Sequence, residues 1–476
     1  MITIRYINLE SEVLTLKNKT ETDKLLESVR RVHMIGIGGS GMYPIAEILH
    51  EEGYELTGSD NNETDTLKKV RAMGVPVTMG HFAENVKGAE LVIYSAAIMK
   101  DNPELVSARE LKIPTMERSY ALGALTRNYD DVIGVCGTHG KTTVSSMIAH
   151  VLIKAGFDPS CVIGGRLPLI DSNGRAGKSE IMVCESCEYV DTFLKLSPDV
   201  CVLLNVDRDH MEYFKTLDRL KQSFHQFANS AKLCIVNGDD ENAMDAVKDI
   251  DTKKITYGTD DKCDYFAANI KYAHKSAGEY DLMHDGKVLS HITVSVPGRH
   301  NISNSVAACA ALIETGVSPD DVAKYLADFH GAGRRFEILY KKNGITIADD
   351  YAHHPKELEV TLNAAMDMGY NKVYAVFQPF TFSRTKMLLD DFARVLQIPD
   401  VCVLSPIMGS REINTYNIYS EDLAAKIPGC VLREDFEQIA DYIVENAKSG
   451  DLVITLGCGD IYKAAKIMIK KYENLK

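Results

Sequence analysis

No apolar run in this 476-residue chain reaches the roughly 18 residues that a membrane helix needs. Lysine and arginine form no long runs either, and the formal net charge is −14. That balance speaks against an electrostatic nucleic-acid binder. The first ten residues, MITIRYINLE, lack the basic-then-apolar order of a secretory leader. Eleven cysteines are scattered through the chain, but only one C-x-x-C pair occurs, Cys184 and Cys187. A zinc site wants a second pair at matching spacing, and there is none. A redox pair normally sits where a strand gives way to a helix. This one brackets Glu185 at the end of an apolar strand and reads as structural. Reduced thiols and a cytoplasmic setting follow most simply. No short-period internal repeat is present.

What the chain does have is an ordinary globular composition, 45% apolar and 25% charged, over a length that suggests about three domains. Its most informative stretch is Gly137-Thr138-His139-Gly140-Lys141-Thr142-Thr143. The apolar run Val132–Cys136 leads in, and an amphipathic run from Val144 to Ala155 leads away. Strand, glycine turn, lysine, hydroxyl residue and helix together make a cradle for a triphosphate. Glycines let backbone N–H groups close on phosphate oxygens, and the helix N-terminus adds partial positive charge. Lys141 can reach the β- and γ-phosphates, and the Thr142 hydroxyl can ligate Mg²⁺. The stricter form of this motif has Gly where this chain has Val135. An ordinary strand–helix turn with a chance lysine is the plainer alternative.

A second glycine turn precedes it. Val32–Ile35 reads as a strand running into Gly36-Ile37-Gly38-Gly39-Ser40-Gly41-Met42, with a helix from Ile45 to Glu52. The next strand, Tyr54 to Asp60, ends on an acid. This is the dinucleotide fingerprint almost in full, with a diphosphate at the helix N-terminus and an acid for a ribose hydroxyl. Ser95 sits at the end of the strand Glu90–Tyr94, on the edge where parallel sheets bind ligands. Further along, Glu185 ends one strand. Asn205-Val206-Asp207-Arg208-Asp209-His210 ends another, and acids with a histidine at strand tips suit hard cations. His210 as a plain surface residue is the alternative. Asn301 and Asn304 share a face at a helix start, where capping would also explain them. The pattern predicts an α/β protein of three domains: a Rossmann-like N-terminal domain at 31–130 after an extension at 1–30, a central P-loop ATPase domain at 131–333, and a Rossmann-like C-terminal domain at 334–476.

Taken in order, GIGGSGM, GTHGKTT, the Glu185 segment, DRDH, PGRHNISN, GAGRRFE, DDYAHHP and FQPFTFSRT resemble the Mur ligase family, from about Val32 to the C-terminus. H-H-P after D-D-Y, with the first glycine motif, points to its alanine-adding branch or the closely related recycling branch, which adds a tripeptide. The resemblance implies ATP-dependent amide formation on the lactyl carboxylate of UDP-N-acetylmuramate, with ATP, Mg²⁺ and L-alanine, by a monomer or weak homodimer. It implies that Lys141 contacts the β/γ-phosphates and that Thr142, Glu185 and His210 hold metal. Gly137 to Thr143, Asn301, Asn304, Arg335 and Asp350 take the nucleotide. His353 and Arg384 receive the amino acid, and Gly38, Gly39, Ser40, Asp60 and Ser95 the sugar nucleotide.

Relatives carry acids where this chain has Cys187 and Val190, and some carry His-Arg where it has Phe380-Thr381. Lys221 falls about a turn early for the carbamylated lysine of later members, so no metal role is assigned to it. A dinucleotide-dependent oxidoreductase would account for the first glycine turn and Asp60 and leave Gly140-Lys141-Thr142 unexplained.

Overall fold

The computed structural model describes residues 19–273, 277–410 and 412–474; residues 1–18 of the N-terminal extension lie outside the described residues. Among the described residues three sheets carry the chain. The first is wholly parallel, in the order Val77–Met79, Glu55–Asp60, Arg31–Ile35, Leu91–Tyr94, Thr115–Glu117. In the ten-stranded second sheet the phosphate-loop strand Asp131–Cys136 lies between Val200–Leu203 and Ile181–Glu185, parallel to both. The third has six strands. Its order is Glu337–Lys342, Ile345–Asp350, Leu452–Leu456, Val373–Phe377, Val401–Leu404, Val431–Leu432, with only the first pair antiparallel.

Helices cover the faces of parallel sheets, which is why strands such as Val132–Cys136 read as unbroken apolar runs and are fully buried. Residues 261–296, with their turn signals, form the three strands Tyr265–Lys271, Gly278–His284 and Lys287–Val294 at one end of the second sheet. Caps set the helix boundaries. Thr64 accepts from the Leu67 N–H and opens Asp65–Ala72. Thr20 and Asp23 form a reciprocal capping box on Glu21–Glu27. That short helix buries Leu26 in the core, and Asp23 pairs with both arms of Arg127 at 2.6 and 2.7 Å.

Two compact units result. One runs to Asn269 and includes Tyr280–Ile292 and Ser303–Asp328; the other holds Ile270–Glu279, Thr293–Ile302 and Phe329–Lys476. Among the described residues no helix is long and apolar enough to cross a membrane.

Candidate functional site

At the tip of Asp131–Cys136 the chain turns through Gly137 and Gly140, both with positive φ, into the helix Lys141–Lys154. Gly140 is in the left-handed region, and a Cβ there would stand 2.9 Å from Asn304 Oδ1. A side chain at that position would be both strained and crowded. The loop is clamped from the next strand. Asn205 accepts the His139 N–H at 2.8 Å and donates to the His139 carbonyl at 3.0 Å, while the Thr138 N–H donates to the Asn205 carbonyl. The Thr138 hydroxyl in turn accepts the Asp207 N–H.

Lys141 folds back over its own loop, donating to the Gly137 carbonyl at 2.6 Å and to Glu188 Oε2 at 3.0 Å. Burial works against the ammonium charge, but the Glu188 carboxylate overrides it and holds the lysine above its ordinary range. Thr142 donates its hydroxyl to Glu185 Oε1 at 3.0 Å, and the other Glu185 oxygen accepts the Gly164 N–H at 2.7 Å. Three of the expected residues, Lys141, Thr142 and Glu185, therefore meet at one strand–helix junction.

His210 joins Glu188 and Asp209 in a group whose ligand atoms lie within 4.8 Å of one another, a donor set able to hold a metal ion. The turn after Glu188 is strained. Val190 and Asp191 have φ of 54° and 56°. Packing and hydrogen bonds offset that strain. The Asp191 carboxylate accepts from Tyr213, Arg219 and Ser223, and Phe193 stacks on Phe227 at 4.6 Å. The Tyr189 ring lies 4.6 Å from that of His210. Lys221 pairs with Asp245 instead of approaching these donors. Burial pushes the Cys184 thiol up to about 12 and that of Cys187 to about 11, and both are free, in keeping with structural cysteines.

The other glycine turn is built differently. Its Gly36 and Ile37 N–H groups donate to the Ser59 carbonyl, and Gly38 N–H donates to Asp60 Oδ2 at 3.0 Å. A Cβ on Gly38 would lie 2.9 Å from Leu67 Cβ, so the turn packs too closely for a side chain. Gly39 packs under Gly36, the Ser40 carbonyl accepts from Asn173 at 2.7 Å, and the half-buried Ser95 accepts the Ala97 N–H. Residues 36–42 themselves carry no basic side chain, but the Arg118 guanidinium packs against Gly41, where a Cβ would stand 3.1 Å from one of its nitrogens.

In the second unit, Asp350 ends its strand and accepts the Phe336 and Ala352 N–H groups at 2.7 and 2.8 Å. Burial lifts its carboxyl to about 6, with Arg335 pulling the other way. Arg335 lies over the Tyr351 ring, and His353 bonds the Tyr351 carbonyl and Glu357. Arg384 stands on Phe382–Met387. Cys458, pushed up to about 12 by burial, feels both Arg384 and Glu357. His353, Arg384 and the last strand's tip thus share one neighbourhood. Asn301 donates to the Pro297 carbonyl, as a residue closing the preceding turn does.

Sequence reasoning missed the Asn205 clamp and the Glu188 hold on Lys141; the Asp209-His210 strand tip reads as suited to a hard cation, and the structure adds Glu188 to it. An asparagine directly after a buried strand that flanks the phosphate-loop strand was a usable signal for the first. The second depends on a turn whose conformation no motif reveals.

Three family models match the chain: Mur ligase family, catalytic domain, over residues 31–130; Mur ligase middle domain over 135–312; and Mur ligase, glutamate ligase domain, over 334–459. A UDP-N-acetylmuramate–L-alanine ligase of Caldanaerobacter subterraneus subsp. tengcongensis is 41% identical over 453 residues, covering 94% of this chain and 98% of that protein. One from Agathobacter rectalis is also 41% identical, over 92% and 98%. The crystal structure of UDP-N-acetylmuramate–alanine ligase from Thermotoga maritima superposes with a TM-score of 0.81 at 27% identity, covering 94% of this chain and all of that one.

Proposed function

The chain belongs to the Mur ligase family, and on that premise we propose that it joins L-alanine to the lactyl carboxylate of UDP-N-acetylmuramate, converting ATP to ADP and phosphate, in the first peptide-adding step of peptidoglycan precursor synthesis. The relatives at about 40% identity over nearly their whole length support the substrates. The observation that carries the chemistry is the meeting of Lys141, Thr142 and Glu185 at the clamped glycine turn.

The reaction sets a carboxylate against a triphosphate, two anions that repel. Such a site needs cations and positioning more than a protein nucleophile. Lys141 already carries a charge in a buried place, and its contacts to its own loop and to Glu188 can be exchanged for phosphate oxygens. The donors Thr142 and Glu185, with the group Glu188, Asp209 and His210, have the oxygen-rich chemistry that Mg²⁺ takes. Bound there, Mg²⁺ would neutralise charge on the β- and γ-phosphates. The carboxylate oxygen then bonds to the γ-phosphorus as ADP leaves. The amino group of alanine, after its ammonium has lost a proton, bonds to the acyl carbon; the C–O bond breaks with its electron pair going to phosphate, and the nitrogen gives up a second proton to leave a neutral amide. We assign the glycine turn at Gly36–Met42 to the sugar nucleotide, and His353 and Arg384 to the amino acid. Reduced cysteines and the use of ATP fit a cytoplasmic setting.

The test is phosphate release from ATP with UDP-N-acetylmuramate, with and without each amino acid and with the tripeptide. Turnover that needs the sugar nucleotide and L-alanine bears the proposal out. Turnover with the tripeptide alone transfers the chain to the recycling branch, and rapid hydrolysis without either co-substrate overturns the ligase reading.

A further inference from the structure

Glu104 is a carboxylate fully buried in the first unit, with no accessible surface. It opens the helix Pro103–Glu110, behind the ligand edge of the five-stranded sheet. Both of its oxygens are filled. Oε1 receives Asn85 Nδ2 at 2.7 Å and faces His33 Nε2 at 3.2 Å; Oε2 receives the Ser59 hydroxyl at 2.8 Å and faces His81 Nδ1 at 2.7 Å. Burial raises the cost of the charge, but the hydrogen bonds from His33, Asn85 and Ser59 override it and keep the carboxyl below its ordinary range. A buried charge with four polar partners is expensive to assemble and is destabilising wherever a partner is lost. The placement of the four partners indicates what the arrangement accomplishes.

His33 sits on the strand that enters the first glycine turn. Ser59 is the penultimate residue of the neighbouring strand; its carbonyl receives the Gly36 and Ile37 N–H groups, and the next residue, Asp60, holds Gly38. His81 and Asn85 lie just past the third strand, where the Gly80 N–H donates to the Asp60 carbonyl. One carboxylate therefore ties together the middle of the first strand, the end of its neighbour and the loop that follows the third. Ser59 and that loop lie next to the glycine turn and form its rim.

We propose that Glu104 is a positioning residue for the sugar nucleotide: through Ser59 and His81 it sets the rim that presents the Gly36–Gly38 turn to the diphosphate. This deepens the function proposed above and rests on its assignment of that turn. Glu104 has no surface of its own to offer a ligand, so its effect passes through the groups it orients.

Glu104→Gln in the full chain keeps the shape and removes the charge. Its expected effect is a KM for UDP-N-acetylmuramate raised roughly tenfold or more, with kcat and the KM for ATP unchanged. Calorimetric affinity for UDP should fall in parallel. The ¹⁵N resonances of the His81 ring should shift as the partner of its Nδ1 changes from a carboxylate to an amide. A folded variant with unchanged sugar-nucleotide KM and UDP affinity overturns the proposal. Should Glu104→Gln not fold, Asn85→Ala removes one donor and leaves the carboxylate in place, and unchanged UDP affinity there overturns it equally. Wild-type turnover measured alongside separates the two readings. A wild type that binds UDP but forms no amide refutes the ligase, whereas a wild type that ligates while the variants bind UDP normally refutes only the role of Glu104.

Discussion

The two glycine turns share one plan, strand to turn to helix, and differ in what holds them. The turn at Gly137–Gly140 carries a cation, Lys141, that is kept charged by Glu188 and lies back across its own carbonyls. The turn at Gly36–Met42 carries no cation of its own, has Arg118 packed against Gly41 from a later helix, and is fastened by a carbonyl and a carboxylate, those of Ser59 and Asp60. A phosphoryl group that is transferred changes charge during the reaction, so it needs a positive group aimed at it. A diphosphate that is only gripped needs aligned backbone N–H groups and a helix end. On the proposed assignment, the turn at Gly137–Gly140 is one for chemistry and that at Gly36–Met42 one for holding.

Lys141→Ala is the strongest challenge to that separation. It should lower turnover by a factor on the order of 10²–10⁴, with some thermal stability lost as well because the buried Glu188 carboxylate loses its ammonium partner. Wild-type-like turnover would remove the distinction. Asp60→Ala should strike the other turn. Losing the charged acceptor of the Gly38 N–H costs about 1.5–3 kcal/mol, roughly 10- to 100-fold in sugar-nucleotide affinity, with ATP affinity intact by calorimetry. ATP affinity lost in that variant would show that the two turns do not work independently.

Asn205→Ala deletes two neutral hydrogen bonds to His139, each worth about 0.5–1.5 kcal/mol, and should raise the KM for ATP roughly tenfold without touching that for the sugar nucleotide. The subtlest effect is in pH. Lys141 is held above its ordinary value of 10.5, so its charge contributes fully below that value and is lost only as pH rises further. In Glu188→Gln the opposing effect of burial is left alone, and the alkaline limb of the rate profile should move to lower pH. A limb that stays in place would mean that Glu188 does not maintain the charge.

Much of the candidate site was legible because glycine, lysine and hydroxyl residues at fixed spacing have few other uses. Gly137 to Thr142 and Gly36 to Gly38 read directly as turns, and the alternation of apolar strands and amphipathic helices gave the α/β architecture with its parallel sheets. Glu185 was legible as a strand-tip acid. Asp209 stood next to His210 in plain view, but only the fold puts both beside Glu188. The turn that delivers Glu188 has two non-glycine residues at positive φ, held by Tyr213, Arg219 and Ser223 from a later helical region. No local propensity encodes such a turn, because contacts distant in sequence offset its strain.

The same division runs through the whole chain. The sequence by itself determined where Val132–Cys136 and Val32–Ile35 end in glycine turns, since glycine adopts φ > 0 and allows close backbone approach at no steric cost. It also announced strands such as Val132–Cys136 and Val373–Phe377 as buried on both faces, since continuous apolar runs suit that place, whereas the equally buried Ile345–Asp350 carries Thr346, Asp349 and Asp350. Tertiary structure alone decided the pairing of charges: Lys141 with Glu188, Thr142 with Glu185, and Glu104 with partners at positions 33, 59, 81 and 85. A buried carboxylate must be satisfied in three dimensions by whichever donors the sheet brings to it, and the spacing of those donors along the chain has no period that could announce them.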